Sequence, residues 1–67
     1  MYKNLEAELA RFNLTKGDIA KDLELSYGTI INKFKGKQDF TLGEAFIIKN
    51  KRFSNLTIEY LFERSEE

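Results

Sequence analysis

Leu14-Thr15-Lys16-Gly17-Asp18-Ile19-Ala20-Lys21-Asp22-Leu23-Glu24-Leu25-Ser26-Tyr27-Gly28-Thr29-Ile30-Ile31-Asn32-Lys33-Phe34-Lys35-Gly36 is the stretch that decides the fold. It reads as two short helices separated by a tight turn. Ile19, Ala20 and Leu23 share one face of the first, and Ile30 and Phe34, four apart, share one face of the second. Leu25 falls in the turn, where it can plug the corner between them. Ser26 stands where the second helix needs an N-cap, its hydroxyl accepting from an otherwise orphaned amide.

Outward from this pair the same grammar repeats. Residues 2–12 carry Leu5, Leu9 and Phe12 at helical spacing, and Asn13, tolerant of the left-handed conformation, is a natural stop. Thr15 with Asp18 three residues on resembles a shortened capping box; Gly17 is simply tolerated near that helix start. After Gly36, Lys37-Gln38-Asp39-Phe40 is a polar loop with one anchoring aromatic. Thr41-Leu42-Gly43-Glu44 is a capping box by type and opens a helix through about Lys51, with Leu42, Ala45, Phe46 and Ile48 as its core face. Ser54-Asn55 breaks the pattern, and Thr57 caps a last short helix carrying Ile58, Leu61 and Phe62. The expectation is an all-α fold: one domain over residues 1–67, a compact bundle of five short helices with the central motif at about 15–35. Its core is expected to be Leu5, Leu9, Ile19, Leu23, Ile30, Phe34, Leu42, Phe46 and Leu61.

A chain of 67 residues has room for one domain and a small core, burying only about 60% of its unfolded surface. It has no cysteine and no histidine, which removes disulfides, the usual structural zinc sites, and thiol or imidazole catalysis. No apolar run approaches a membrane span or a signal-peptide core, so the expected setting is the cytoplasm, with no membrane partner, and Met1 reads as a true start. Eleven basic and eleven acidic residues cancel. They are unevenly spread, however, and phosphate attraction is local on the scale of a Debye length, about 8 Å. Between Ser26 and Gln38, Lys33, Lys35 and Lys37 meet no acid, and Lys49-Asn50-Lys51-Arg52 forms a second basic run. Acids gather at Glu6, Glu8, Asp18, Asp22, Glu24 and in Glu59, Glu63, Glu66 and Glu67.

Two short helices with a turn of about three residues form the helix-turn-helix pattern, whose second helix enters the major groove of DNA. With Ile30 and Phe34 facing inward, a 100° step per residue turns Gly28 and Asn32 almost directly outward. Thr29 and Lys33 lie on one shoulder of that face, Ile31 and Lys35 on the other. Asn32 is the leading base-contact candidate, since a side-chain amide can bond bidentately to adenine. Thr29 offers a hydroxyl and a methyl, and Gly28 lets the backbone come close. Tyr27 lies close in angle to Phe34, which suits a half-buried ring and a groove-facing hydroxyl equally. Lys16, Lys33, Lys35, Lys37 and Gln38 are candidate phosphate contacts, which position without reading sequence. The amide ends of the helices opened by Thr15 and Thr41 are further phosphate candidates. Ile31 suits a thymine methyl or a covered place, and the usual burial of isoleucine favours the latter.

At this point the chain resembles the lambda-repressor-like family of Cro/repressor helix-turn-helix domains, the XRE family. The residues that carry the resemblance are Leu14-Thr15-Lys16, Asp18-Ile19-Ala20, Leu23, Leu25-Ser26, Thr29-Ile30 and Phe34-Lys35-Gly36-Lys37. Phe40-Thr41-Leu42 with Glu44-Ala45, and the ending Leu56-Thr57-Ile58-Glu59-Tyr60-Leu61-Phe62, are similar to small phage and mobile-element members. Two positions depart. Glu24 stands where the family commonly has glycine, and a side chain in a left-handed turn costs on the order of 1 kcal/mol. Lys16 stands where glutamine is frequent. The resemblance implies a phage or prophage repressor or Cro-like transcriptional regulator. It would bind double-stranded DNA through residues about 27–35, as a homodimer on two half-sites. The last helix and Phe53, Tyr60 and Phe62 are candidates for the pairing surface or for closure of the core. The alternative is a protein-interaction module of the same fold, an anti-repressor or partner-docking subunit, which the net neutrality, Ile31 and Glu24 also suit. An enzyme is not expected: no nucleophile and base, glycine-rich phosphate loop or metal cluster is assembled, and no cofactor is implied.

Overall fold

The computed structural model describes residues 1–64; Glu66 and Glu67 of the acidic tail lie outside the described residues. Five helices follow one another: α1 (Lys3–Arg11), α2 (Lys16–Leu23), α3 (Tyr27–Lys35), α4 (Leu42–Arg52) and α5 (Ile58–Leu61), with no strand among the described residues. The chain is an all-α bundle. α2 packs on α3 and α4, and α5 on α1 and α4. No described helix is long and apolar enough to cross a membrane.

Four helices open on the hydroxyl residues expected of them. Thr15 Oγ1 accepts from the Asp18 amide at 3.2 Å while Asp18 Oδ2 accepts from the Thr15 amide at 2.9 Å, and Thr41 and Glu44 repeat that reciprocal box. Ser26 and Thr57 accept from the amides of Thr29 and Tyr60. Each such cap contributes about 1 kcal/mol. The first three helices also end alike. Asn13, Glu24 and Gly36 adopt left-handed backbone, at φ 60, 58 and 87°. The next amide in each case reaches back five residues, from Leu14 to the Leu9 carbonyl, Leu25 to Ala20 and Lys37 to Asn32. This closure turns Leu14 and Leu25 back against the core.

The core is built on Leu5, Leu9, Ile19, Ile30, Phe34, Ile48, Phe53 and Leu61, with Leu23 and Leu25 partly buried beside it. Tyr2 joins it at 3% exposure, its ring edge-on to both Phe40 and Phe62. Two expected core residues are outside it: Leu42 is 68% and Phe46 47% exposed. The inward stripe of α4 is set by Ala45 and Ile48, and the 100° step from Ala45 takes Phe46 off it. Leu42, in the first turn, has no element packed over it. Phe12 is likewise half-exposed, resting edge-on against Phe53.

The aromatic candidates for pairing turn inward instead. Phe53 is buried, Phe62 joins the Tyr2–Phe40 cluster, and the Tyr60 hydroxyl donates to buried Glu8 at 2.8 Å. That bond holds the Tyr60 phenol above its usual pKa. The second basic run is also committed internally. Asp22, its side chain nearly buried, accepts from Arg52 Nε at 2.7 Å and Arg52 Nη2 at 3.0 Å, with Lys51 Nζ at 3.3 Å. The Arg52 bonds, more than burial opposes them, hold the Asp22 carboxyl below the ordinary aspartate range.

Candidate functional site

The inward face of α3 is Ile30 and Phe34, which leaves its other side on the surface. Ser26 fixes where that helix begins, and its hydroxyl also donates to Thr29 Oγ1 at 2.9 Å, leaving the Thr29 proton available to another acceptor. Tyr27, suited by sequence to either environment, is 60% exposed at the first turn. Gly28 is exposed beside it, and a Cβ built there meets nothing within 4 Å. Thr29 and Asn32 are half-buried, and the Asn32 side chain makes no hydrogen bond to another described residue. Ile31 is partly buried against the core, so the covered alternative holds.

The candidate phosphate contacts divide. Lys35, Lys37 and Gln38 are exposed at the C-terminal end of α3, and the two lysines have no acidic partner among the described residues. Lys16 is held more closely: its ammonium lies 4.0 Å from Glu6 Oε1 and 5.0 Å from the centre of the Phe34 ring, which places it beside the C-terminal half of α3.

Lys33 is not on this surface. It is 6% exposed, with Nζ 3.0 Å from Glu44 Oε1 and donating to the Asp39 carbonyl at 2.9 Å. The shoulder on which it stands faces the start of α4, so it ties the two helices together. Burial pushes the Glu44 carboxyl up, but the Thr41 amide and Lys33 outweigh that and hold it below its ordinary value.

The helix N-termini also differ from expectation. At α2 and α4 the capping carboxylates of Asp18 and Glu44 already stand at the positive end of the dipole, disfavouring a second anion. The Thr15 amide, donating to Asp18, holds that carboxyl below its usual range. By contrast α3 has no acid in its first turn. Among the five helices of the described residues, α3 alone contains no acidic residue at all.

Three buried or half-buried polar groupings escape a reading of the sequence: Lys33 with Glu44, Asp22 with Lys51 and Arg52, and Glu8 with Tyr60 and Arg11. Asp22 lies 29 and 30 residues from Lys51 and Arg52, and Glu8 lies 52 from Tyr60, beyond any local periodicity; only Glu8 and Arg11, three apart, are local. Lys33 and Glu44 each sit at a position read correctly as helical, and only the packing of α3 on the start of α4 reveals them as a pair.

The surface thus assembled has a hydroxyl, an open glycine and a half-exposed amide along one helix, with Lys35, Lys37, Gln38 and the more constrained Lys16 at one end. Such a set can donate to anionic oxygens and exchange hydrogen bonds with base edges. No family model, no curated protein and no solved structure matches the chain.

Proposed function

We propose that this protein is a sequence-specific DNA-binding regulator of transcription, with α3 entering the major groove. One observation carries the reading: α3 is the helix without a carboxylate, and the polar side chains and open glycine on its exposed side are bounded by Lys35 and Lys37. A helix that must lie between two phosphate backbones cannot carry acids on its outer face without electrostatic cost. The bases are read by Tyr27, Thr29 and Asn32 with Gly28 admitting a close approach, and the phosphates are held by Lys35, Lys37, Gln38 and Lys16. The lambda-repressor-like resemblance of the sequence supports the same assignment. A single α-helix reads only a few base pairs, so the protein acts as two copies on half-sites about 34 Å apart.

The test is selection from random duplex DNA by the purified chain, at low salt and at about 150 mM, beside an Asn32→Ala variant whose helicity is checked by circular dichroism. The expected result is a two-fold motif whose information falls at specific positions in the variant. A pool that stays random at both salts refutes operator binding and turns attention to a protein partner.

A further inference from the structure

Each base in the major groove has its own kind of side-chain partner. Arginine or lysine suits guanine, asparagine or glutamine adenine, a carboxylate cytosine, and a methyl group the methyl of thymine. α3 holds no arginine, no glutamine and no carboxylate. Its one cation before the last residue, Lys33, is 6% exposed, with Nζ against Glu44 and on the Asp39 carbonyl, and so is lost to guanine. Lys35 closes the helix and Lys37 follows it, whereas base edges are met by the N-terminal part of such a helix. The readers of guanine and cytosine are thus both missing from its exposed side.

Asn32 and Thr29 remain. The Asn32 amide is half-buried and makes no hydrogen bond to another described residue, so a donor and an acceptor are free for the N7 and N6 edge of adenine. The Thr29 hydroxyl accepts from Ser26 Oγ at 2.9 Å, which leaves it a donor toward the groove. The reverse polarity would leave the Ser26 proton without a partner among the described residues. A donor rejects the amino groups of adenine and cytosine. It suits thymine, whose O4 acceptor stands beside a methyl group, as the Thr29 hydroxyl does. Tyr27 can donate or accept and selects no base alone. Asn32 lies three residues beyond Thr29, about 4.5 Å along the helix, close to the step of about 3.4 Å between base pairs. Resting on the DNA-binding reading, we propose that α3 reads two adjacent A·T pairs, Asn32 taking the adenine of one and Thr29 the thymine of the other.

Selection from random duplex DNA, followed by anisotropy on the selected duplex, provides the test. Asn32→Ala and Thr29→Val, with unchanged helicity, are each expected to lose one preference, at neighbouring A·T pairs. The Asn32-dependent pair is then replaced by inosine·cytosine, which carries the major-groove edge of G·C and the minor-groove edge of A·T. Wild-type binding should weaken at least about fivefold, and Asn32→Ala binding hardly at all. Variants that alter no position, G·C pairs at the positions they alter, or an inosine·cytosine duplex bound as well as the A·T one overturns the proposal while DNA binding stands. A pool that stays random with the wild-type chain defeats the DNA-binding reading itself, and the A·T assignment with it.

Discussion

The Lys33 ammonium lies 3.0 Å from the Glu44 carboxylate and joins the last turn of α3 to the first turn of α4. Its second bond, to the Asp39 carbonyl at 2.9 Å, holds the intervening loop as well. Lys33→Met removes both and strands a half-buried carboxylate. The expected loss is about 2 kcal/mol, seen as a lower urea midpoint, whereas Lys35→Ala leaves that midpoint nearly unchanged.

Glu24 holds a left-handed turn, φ 58° and ψ 43°, between α2 and α3. Glycine adopts that conformation without the Cβ penalty, so Glu24→Gly should stabilise by up to about 1 kcal/mol, part of the gain being offset by greater freedom of the unfolded chain. Glu24→Val, with a branched Cβ in the same backbone, should destabilise by about 1–2 kcal/mol. Thermal and urea unfolding of the two variants read both signs.

Asp22 and Glu44 both have depressed carboxyl pKa values in the folded chain. A depressed acid binds its proton more readily when unfolded, so its contribution is present above the unfolded pKa, about 4, and is lost as pH falls through the lower folded value. Melting temperature should therefore be level near neutrality and fall below about pH 4. Asp22→Asn should lower the neutral plateau and flatten the acid limb.

Gly28 separates folding from binding. A Cβ there meets nothing within 4 Å, so Gly28→Ala fits the helix and should raise stability by up to about 1 kcal/mol. On the proposed DNA-binding face the same methyl stands between backbone and groove. A higher melting temperature together with weaker operator binding is the expected pair of results. Unchanged affinity would remove Gly28 from the interface.

Lys35 and Lys37 each neutralise one phosphate in the proposed complex. Replacing either by alanine should reduce the slope of log affinity against log salt by about 1, with little change in sequence preference. Lys33→Met, at a buried position, should leave the slope as it is. Fluorescence anisotropy on one selected duplex, over a series of salt concentrations, distinguishes the two classes of lysine.

How far the sequence discloses the protein depends on the range of each interaction. Thr15, Ser26, Thr41 and Thr57 are recognisable as caps because the hydroxyl and the amide it serves are three residues apart or fewer. Asn13 is recognisable as a stop for the same local reason, whereas the left-handed turn at Glu24 is marked only by the family resemblance, which places glycine there. The α4 face is misread at Leu42 and Phe46, since four apolar residues on one helix do not say which arc its neighbours cover. Charge is misread wherever the partner is remote: Lys33 counts as basic in its own window and is neutralised by Glu44 from the next helix. Tyr2 gives no signal, being one aromatic ahead of the first helix, yet it completes a cluster drawn from residues 40 and 62.

That cluster has a consequence for the order of events in folding. Tyr2 waits for Phe62, Glu8 for Tyr60, and the Asn4 amide for the Tyr60 carbonyl, 56 residues away. The contact of α2 with α3 closes a short loop, whereas α1 meets α5 only across the three helices between them. Bringing residues up to 56 apart together costs more loop entropy than any contact between neighbouring helices, so the α1–α5 contacts follow the local ones.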